Sequence, residues 1–582
     1  LQPSILAKRG NILLFVAFIL FYFYGLGHLP FIGPDEPRYA QVAYEMFLRR
    51  DWITPTLGGY LWFEKPALLY WMVVAAFKLF GTSEWAARSA SAVSGLVTIA
   101  AVFWVGRRTE KSAVISDLKS EISGLNSEIS NDGLPQFEIA NAPHLKCETE
   151  NKALGSIGFW SAFVAGTSGG LIAFSRAVSF DILVTMSIAW TLAFFFVAEL
   201  EIDQKSQRRL LVGFYFAIGV SLLAKGLVGV VIPFGVIGAY YTLRGKAPAH
   251  KLLLSLIWGI PLSLAVAAVW YGPMFWKHGM LFFDEFIIKH HFERYATNKY
   301  HHPGAIYYYL QILPLLALPW TAFLIDGLLK ARQAFFKGSD HPVGRLQTFA
   351  LAWLLLPLVF FSISSSKLPG YILPVLPAAA LLTGSRLAKL RSDSRNNWAI
   401  TATGVVGVLF AIALLAYAWQ SGKISARAAL ILAALAGITG ALALLLRRNG
   451  QAAALLVGVA TLAIVLVVSH SVAPGLVDSE SSKRLIQLAD QRGYGSARVF
   501  GLQRDDRSPE YYAAGRVIYG EEHEPVMYDG IGQVIYETHL RKETLLVLIP
   551  MRDLVSLRQA ESVKIDEIAN NGRVAIVAVT PL

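Results

Sequence analysis

The sequence predicts a mainly α, polytopic membrane protein: about 13 transmembrane helices, juxtamembrane helices along the outer face, and a small α/β domain at the C-terminal end. Three observations carry this reading. Hydrophobic residues make up 55% of the 582 residues and mean hydropathy is +0.49, too apolar for a soluble globular chain. Apolar runs of about 20 residues recur, each long enough to cross ~30 Å of hydrocarbon with its backbone internally bonded. Beyond His470 the runs stop, and short helix-like and strand-like stretches alternate. A membrane domain is therefore expected over 1–473, with a first outer loop at 28–87 and a cytoplasmic insert at 109–154, followed by an outer α/β domain over 474–582.

The spans read at 11–27, 88–105, 157–174, 182–200, 210–224, 227–241, 252–271, 306–324, 346–361, 371–382, 398–419, 428–446 and 452–468. Basic clusters such as Lys8/Arg9, Arg107/Arg108, Arg208/Arg209, Arg244/Lys246 and Arg447/Arg448 fall at alternate connections. The positive-inside rule puts the N-terminus in the cytoplasm and, for an odd number of crossings, the C-terminus outside. Those loops account for the net charge of +12, so membrane lipid and not nucleic acid is the expected neighbour. The first span is expected to double as the insertion signal. The single cysteine, Cys147, excludes an intrachain disulfide and argues against a thiolate metal cluster. Two segments complete the membrane part: 66–80, rich in Tyr, Trp and Leu, is expected to lie along the interface, and 111–152, polar and without apolar periodicity, is expected to be a solvated, flexible insert.

The unusual polar motifs all fall on outer connections. "GPDEPRYA" places Asp35 and Glu36 where a span ends, and a charge there needs solvent, a partner such as Arg38, or a metal. The competing structural reading is Asp35 as an N-cap, with Pro37 in the first turn of a helix. "WFEKPALLYW" sets Glu64 beside Lys65, an acid for a divalent cation and a base for a phosphate oxygen, or a capping acid and a snorkelling lysine. "FSRAVSFD" offers Arg176 and Asp181, which could equally be a structural salt bridge, and Lys225 in "LLAKG" could equally be an anchor. The loop "IIKHHFERYATNKYHH" carries His290, His291, Glu293, Arg294, His301 and His302, a transition-metal donor set whose adjacent histidines cannot easily share one ion and which lacks an HExxH helix. "SSSKLPGY" supplies Lys367 and Tyr371, a phosphate clamp or a pair of interfacial anchors. The C-terminal stretch has no GxGxxG, P-loop or nucleophile elbow, so no nucleotide cofactor is expected, and its expected work is substrate shaping or acceptor docking. Together the outer motifs predict a membrane-edge cavity of carboxylates, cations and tyrosine above apolar helices, suited to an anionic lipid headgroup and its prenyl chain.

The order "PDEPRYA", "FEKP", Asp181, "KG", "H..ER" and "KLPGYILP" resembles the bacterial aminoarabinose transferases of lipid A and, more broadly, the protein O-mannosyltransferase group with the GT-C fold. The resemblance implies an inverting transfer of a sugar from an undecaprenyl phosphate donor to lipid A or another envelope acceptor at the periplasmic face of the bacterial inner membrane, by a chain expected to act as a monomer. It makes Asp35 the essential first-loop acid, with Arg38 and Tyr39 as neighbours, and Asp181 a second loop acid. Catalysis is expected of Asp35, Arg38 and Asp181, and substrate binding of Glu36, Tyr39, Lys65, Arg176, Lys225, Arg294, Lys367 and Tyr371. Glu64 and His291 resemble a zinc-binding pair. The chain departs from the family's pattern at Pro37, at Trp62, where tyrosine is common, and at Gly370, where threonine is common. The alternatives are another glycan-modifying transferase, protein O-mannosyltransferase-like, and a transporter or flippase of lipid-linked sugar, which should show discontinuous helices in corresponding halves.

Overall fold

The computed structural model describes residues 3–132, 156–286, 304–336, 340–390, 397–421, 424–502, 506–520 and 523–582. They divide into two compact units: Leu1–Tyr24, Ser91–Arg176 and Phe180–Val465 form one, and Gly25–Ala90, Ala177–Ser179 and Leu466–Leu582 the other.

The first unit is helical. Among the described residues of the chain, nine helices are long and apolar enough to cross a membrane, or up to eleven if each of two bent pairs counts as one span. Helices such as Trp398–Ser421 have only 22% of their apolar window buried, and Val406, Leu409, Ile412 and Trp419 point away from the protein, as lipid-solvated faces do.

Two spans expected to be single helices are broken. Ile157–Gly166 and Gly169–Ser175 meet at 58°, and Tyr308–Leu316 and Thr321–Arg332 at 112°. At the first break Thr167 and Ser168 turn their hydroxyls onto the carbonyls of Phe163 (2.6 Å) and Ala165 (3.0 Å), competing with helix continuation. At the second, Pro319 lacks an amide donor and disfavours helical backbone at Leu318. The two breaks satisfy one another: the Gly169 amide donates to the Leu318 carbonyl at 2.8 Å.

The insert also differs from its expectation. The helix Glu84–Asp132 runs unbroken through the first part of it, because the stretch 107–132 holds no proline, one glycine, and many good helix formers. Polarity marked the end of the apolar span and not the end of the helix. Cys147 lies outside the described residues.

The second unit contains a short hairpin, β1 (Thr56–Leu57) with β2 (Tyr60–Leu61), and a five-stranded sheet. The sheet strands are β3 (Arg498–Leu502), β4 (Met527–Tyr528), β5 (Leu545–Pro550), β6 (Val563–Asn570) and β7 (Val574–Pro581), in the order β4-β3-β5-β7-β6. β3 runs parallel to β4 and β5, whereas β7 is antiparallel to β5 and β6. β5 and β7 are buried on both faces, which is why they read as continuous apolar runs. Leu546, Leu548, Ile576 and Ala578 pack with Leu485 and Ile486 of helix Lys483–Ala489. Val547, Ile549, Val577 and Val579 pack with Val534, Leu554 and Leu557 of helices Ile531–Arg541 and Met551–Arg558.

Candidate functional site

In the second unit the helix Asp35–Arg49 begins with two acids in its first turn, where the helix dipole favours negative charge, and ends at Arg50 in left-handed backbone. Asp35 does not cap it. Pro34 occupies the cap position without a side-chain bond, and Asp35 is the first helical residue. Its carboxylate, 52% exposed, accepts from Arg38 Nη2 at 2.5 Å. The Arg38 guanidinium also lies 3.8 Å from Glu64 and stacks over the ring of Trp62 at 5.2 Å and of Tyr39 at 5.7 Å. The tryptophan at 62 is thus the platform for Arg38. Burial pulls the guanidinium down, but Glu64, Tyr39 and Asp35 outweigh it and hold Arg38 above its ordinary value. Tyr39 is pushed well up, first by burial and then by Asp35 and Glu64, so it stays a neutral phenol. Lys65 Nζ donates to Glu64 Oε1 at 2.7 Å, with both side chains about nine-tenths buried. Asp35, Arg38, Tyr39, Glu64 and Lys65 therefore form one connected cluster.

Glu36, expected to bind substrate, is committed to the fold. Arg88 donates to its two oxygens at 2.6 and 2.9 Å, and the amides of Val178 (3.0 Å) and Ile32 (3.3 Å) complete the set. Arg88 also donates to the carbonyls of Leu26, Leu29 and Pro30, tying down the entry to the first loop.

In the first unit, helices Phe180–Leu200 and Gln204–Lys225 form an antiparallel hairpin, so the N-terminus of one and the C-terminus of the other share an end. That brings Asp181 to Lys225, which donates to its carboxylate. The Lys225 ammonium also lies 5.0 Å from the ring centre of Tyr371, in the 3-10 turn Pro369–Val375. Gly370 explains its own departure from threonine: a Cβ there would collide with Asp181 Oδ2. The other two expected cations are bonded to backbone. Lys367 donates to the Ser364 carbonyl at 2.6 Å, and Arg176 to those of Phe21 (3.2 Å) and Tyr24 (2.9 Å) at the end of helix Pro3–Phe23.

His291 and Arg294 lie outside the described residues. Among the described residues no three His, Cys, Asp or Glu side chains group as a metal site. Sequence reasoning missed Glu510, a buried carboxyl of the helix Ser508–Tyr512 whose pKa burial pushes up to about 7, against the pull of Arg507 and Arg38. Tyr519 donates to it at 3.1 Å.

No protein-family profile matches the chain. It is similar to the crystal structure of ArnT from Cupriavidus metallidurans bound to undecaprenyl phosphate, with a TM-score of 0.74, 22% identity and 98% of each chain covered, and to the apo state of that protein at 0.73 and 23%. The chain shares the fold of that protein, and its described residues hold nine to eleven candidate membrane spans. In sequence the chain is 30% identical over 413 residues to the undecaprenyl phosphate-alpha-4-amino-4-deoxy-L-arabinose arabinosyl transferase 1 of Pseudomonas fluorescens, covering 68% of this chain and 64% of the relative. It is 29% identical over 417 residues to the corresponding transferase of Pseudomonas aeruginosa, covering 70% and 65%. The chain thus spans about 64% of the length of the first of these curated relatives, and it is homologous to these arabinosyl transferases over that shared length.

Proposed function

We propose that this protein is an inverting glycosyltransferase that moves 4-amino-4-deoxy-L-arabinose from undecaprenyl phosphate to lipid A, or to another envelope acceptor, at the periplasmic face of the bacterial inner membrane. The observation that carries this is the half-exposed carboxylate of Asp35, oriented by Arg38 beside the Glu64–Lys65 pair. The curated relatives supply the donor through their names.

In the reaction an acceptor oxygen attacks the anomeric carbon of the sugar, the bond from that carbon to the lipid phosphate oxygen breaks, and undecaprenyl phosphate leaves. A phosphate acceptor is already a nucleophile at neutral pH and needs Asp35 only for orientation. A hydroxyl acceptor needs Asp35 to take its proton. Arg38 holds the Asp35 carboxylate in place. Lys225 with Tyr371 in the first unit, Lys65 in the second, and Arg294 are each a candidate for the donor phosphate, whose leaving charge a cation stabilises most when water is excluded. Within the first unit Asp181 holds Lys225 in place, while Lys367 and Arg176 donate to backbone carbonyls; within the second, Glu36 is held by Arg88.

Glu64 already faces two cations and, as it stands, does not fit a metal ligand, so no step runs through a metal. The zinc assignment of Glu64 and His291 is tested by metal analysis. One zinc per chain, lost in Glu64→Gln, supports it, and metal-free active protein overturns it.

The broken helix pairs favour a second reading, a flippase of the lipid-linked sugar. One experiment separates the two. Transfer releases free undecaprenyl phosphate and adds a pentosamine mass to the acceptor, with Asp35→Asn at least ~100-fold slower. Movement of intact donor without release overturns the transferase assignment. For sidedness, an impermeant thiol reagent on spheroplasts is expected to label a cysteine placed by Asp529→Cys and to spare Cys147.

A further inference from the structure

The hairpin β1–β2 leads directly into Trp62, Glu64 and Lys65, so whatever fixes the hairpin fixes that corner. From one side it is held by Glu45 of helix Asp35–Arg49, which accepts from Thr56 Oγ1 at 2.5 Å and from the amides of Gly58 and Gly59 at 2.7 and 3.2 Å. The other side is covered by Tyr519. Its ring lies so close to Gly58 that a Cβ there would run into Cε2 and Cζ, and Gly58 itself has left-handed backbone with φ +62°. Beside it Tyr60 stacks on His523, with ring centres 4.1 Å apart and planes at 17°.

Tyr519 is itself seated. Its hydroxyl donates to Glu510 Oε1 at 3.1 Å, and Glu510, with a side chain only 1% exposed, faces Arg507 Nε at 3.3 Å. Arg507 in turn binds Glu524. A carboxyl so deeply buried needs a reason to remain polar, because a hydrocarbon side chain would avoid its desolvation cost.

We propose that Tyr519, seated by Glu510, is a positioning residue: a strut of the C-terminal sequence that presses on the β1–β2 turn and so fixes the Glu64–Lys65 corner for binding of the donor phosphate. The donor part of this statement rests on the transferase reading above. The C-terminal sequence would thereby enter the reaction through geometry, without touching the reacting atoms. Gly58 is the other half of the device, since only a residue without a Cβ admits the ring.

The test uses the full-length protein in three variants, Tyr519→Ala, Tyr519→Phe and Gly58→Ala, with two readouts: hydrogen exchange of the amides at 56–65, and the KM for undecaprenyl-phosphate-linked aminoarabinose. Loss of the ring in Tyr519→Ala is expected to speed exchange at 56–65 and raise the donor KM about tenfold with little change in acceptor KM, a factor equal to about 1.4 kcal/mol. Tyr519→Phe, which keeps the ring on Gly58, is expected to recover most of both effects, and Gly58→Ala to reproduce them from the opposite side. Unchanged exchange in Tyr519→Ala overturns the strut, whatever the activity. Faster exchange with an unchanged donor KM overturns the positioning role and leaves only a structural contact. Faster exchange in Tyr519→Ala, together with a wild-type protein that cleaves no donor, sinks the transferase reading while the strut stands.

Discussion

At Asp35 and Glu36 a helical step of about 100° per residue sends adjacent carboxylates in different directions. Asp35 faces out beside Arg38, and Glu36 faces in to Arg88. Sequence marked both acids as unusual and could not divide them, because the direction of a side chain depends on where the helix starts. Breaking a buried ion pair leaves one charge without its partner, so Glu36→Gln is expected to cost about 3–5 kcal/mol. Its thermal unfolding midpoint should drop sharply, whereas Asp35→Asn should unfold like wild type while losing transfer. Glu510 carried no signature at all: in "PEYY" it is one more polar residue of a short helix, and its burial comes from the distant Tyr519 and Arg507. Its pKa has a readable consequence. A carboxyl raised from 4.5 to about 7 on folding binds its proton more tightly in the folded state. Its contribution to stability is therefore full below pH ~4.5 and is lost as pH rises through about 7, a change on the order of 3 kcal/mol. Glu510→Gln keeps an oxygen for Tyr519 and cannot ionise. Thermal melts from pH 4.5 to 8 should show a falling midpoint in wild type and a flatter one in the variant.

Elements were most legible where composition alone decides them. Apolar runs set the places of the spans, and continuous Val, Ile and Leu stretches located β5 and β7. Short polar elements were not visible: β4, β6 and the helices Ile531–Arg541 and Met551–Arg558 exist because the sheet offers them a face to pack on. The breaks at 167–168 and 317–320 are marked in the sequence only by Thr167, Ser168 and Pro319, and a reading by apolar composition runs through them because the flanking residues are as apolar as a continuous span. The turn Pro369–Val375 brings Tyr371 to Lys225 only because Gly370 lets the backbone approach Asp181. Gly370→Thr is accordingly expected to push the turn off Asp181, against Phe174 Cε1 at 2.8 Å as well, and to lower transfer at least ~tenfold. Donor KM measured beside the thermal midpoint checks this. A wild-type KM in the variant would show that the Asp181, Lys225 and Tyr371 cluster does not serve the donor.

At the scale of the molecule, residues 25–90 and the C-terminal sequence form one compact unit, although the 375 residues 91–465 separate Ala90 from Leu466. A linear reading places a boundary at 474 because composition changes there, and it has no means of seeing that 25–90 completes its fold on the far side of that boundary. The bonds are specific: the Phe31 amide donates to the Tyr512 hydroxyl at 2.7 Å, Tyr512 donates to Glu84 at 2.9 Å, and Lys483 binds Glu84 at 2.5 Å. Phe31 is fully buried, with its ring 4.8 Å from that of Tyr511. A chain ending at Val465 would expose Phe31, strip Glu84 of its lysine and remove the ring from Gly58. It is expected to insert and accumulate, to become sensitive to proteases within 28–62, and to lose transfer even though Asp35, Glu64, Lys65 and Lys225 are all still present. Limited proteolysis of spheroplasts, followed by mapping of the cut sites, checks this. A truncated protein whose first loop resists cleavage as wild type does would mean that the loop holds its shape from its own contacts, Glu36 with Arg88 and Glu45 with the hairpin, and that the C-terminal sequence serves some other end.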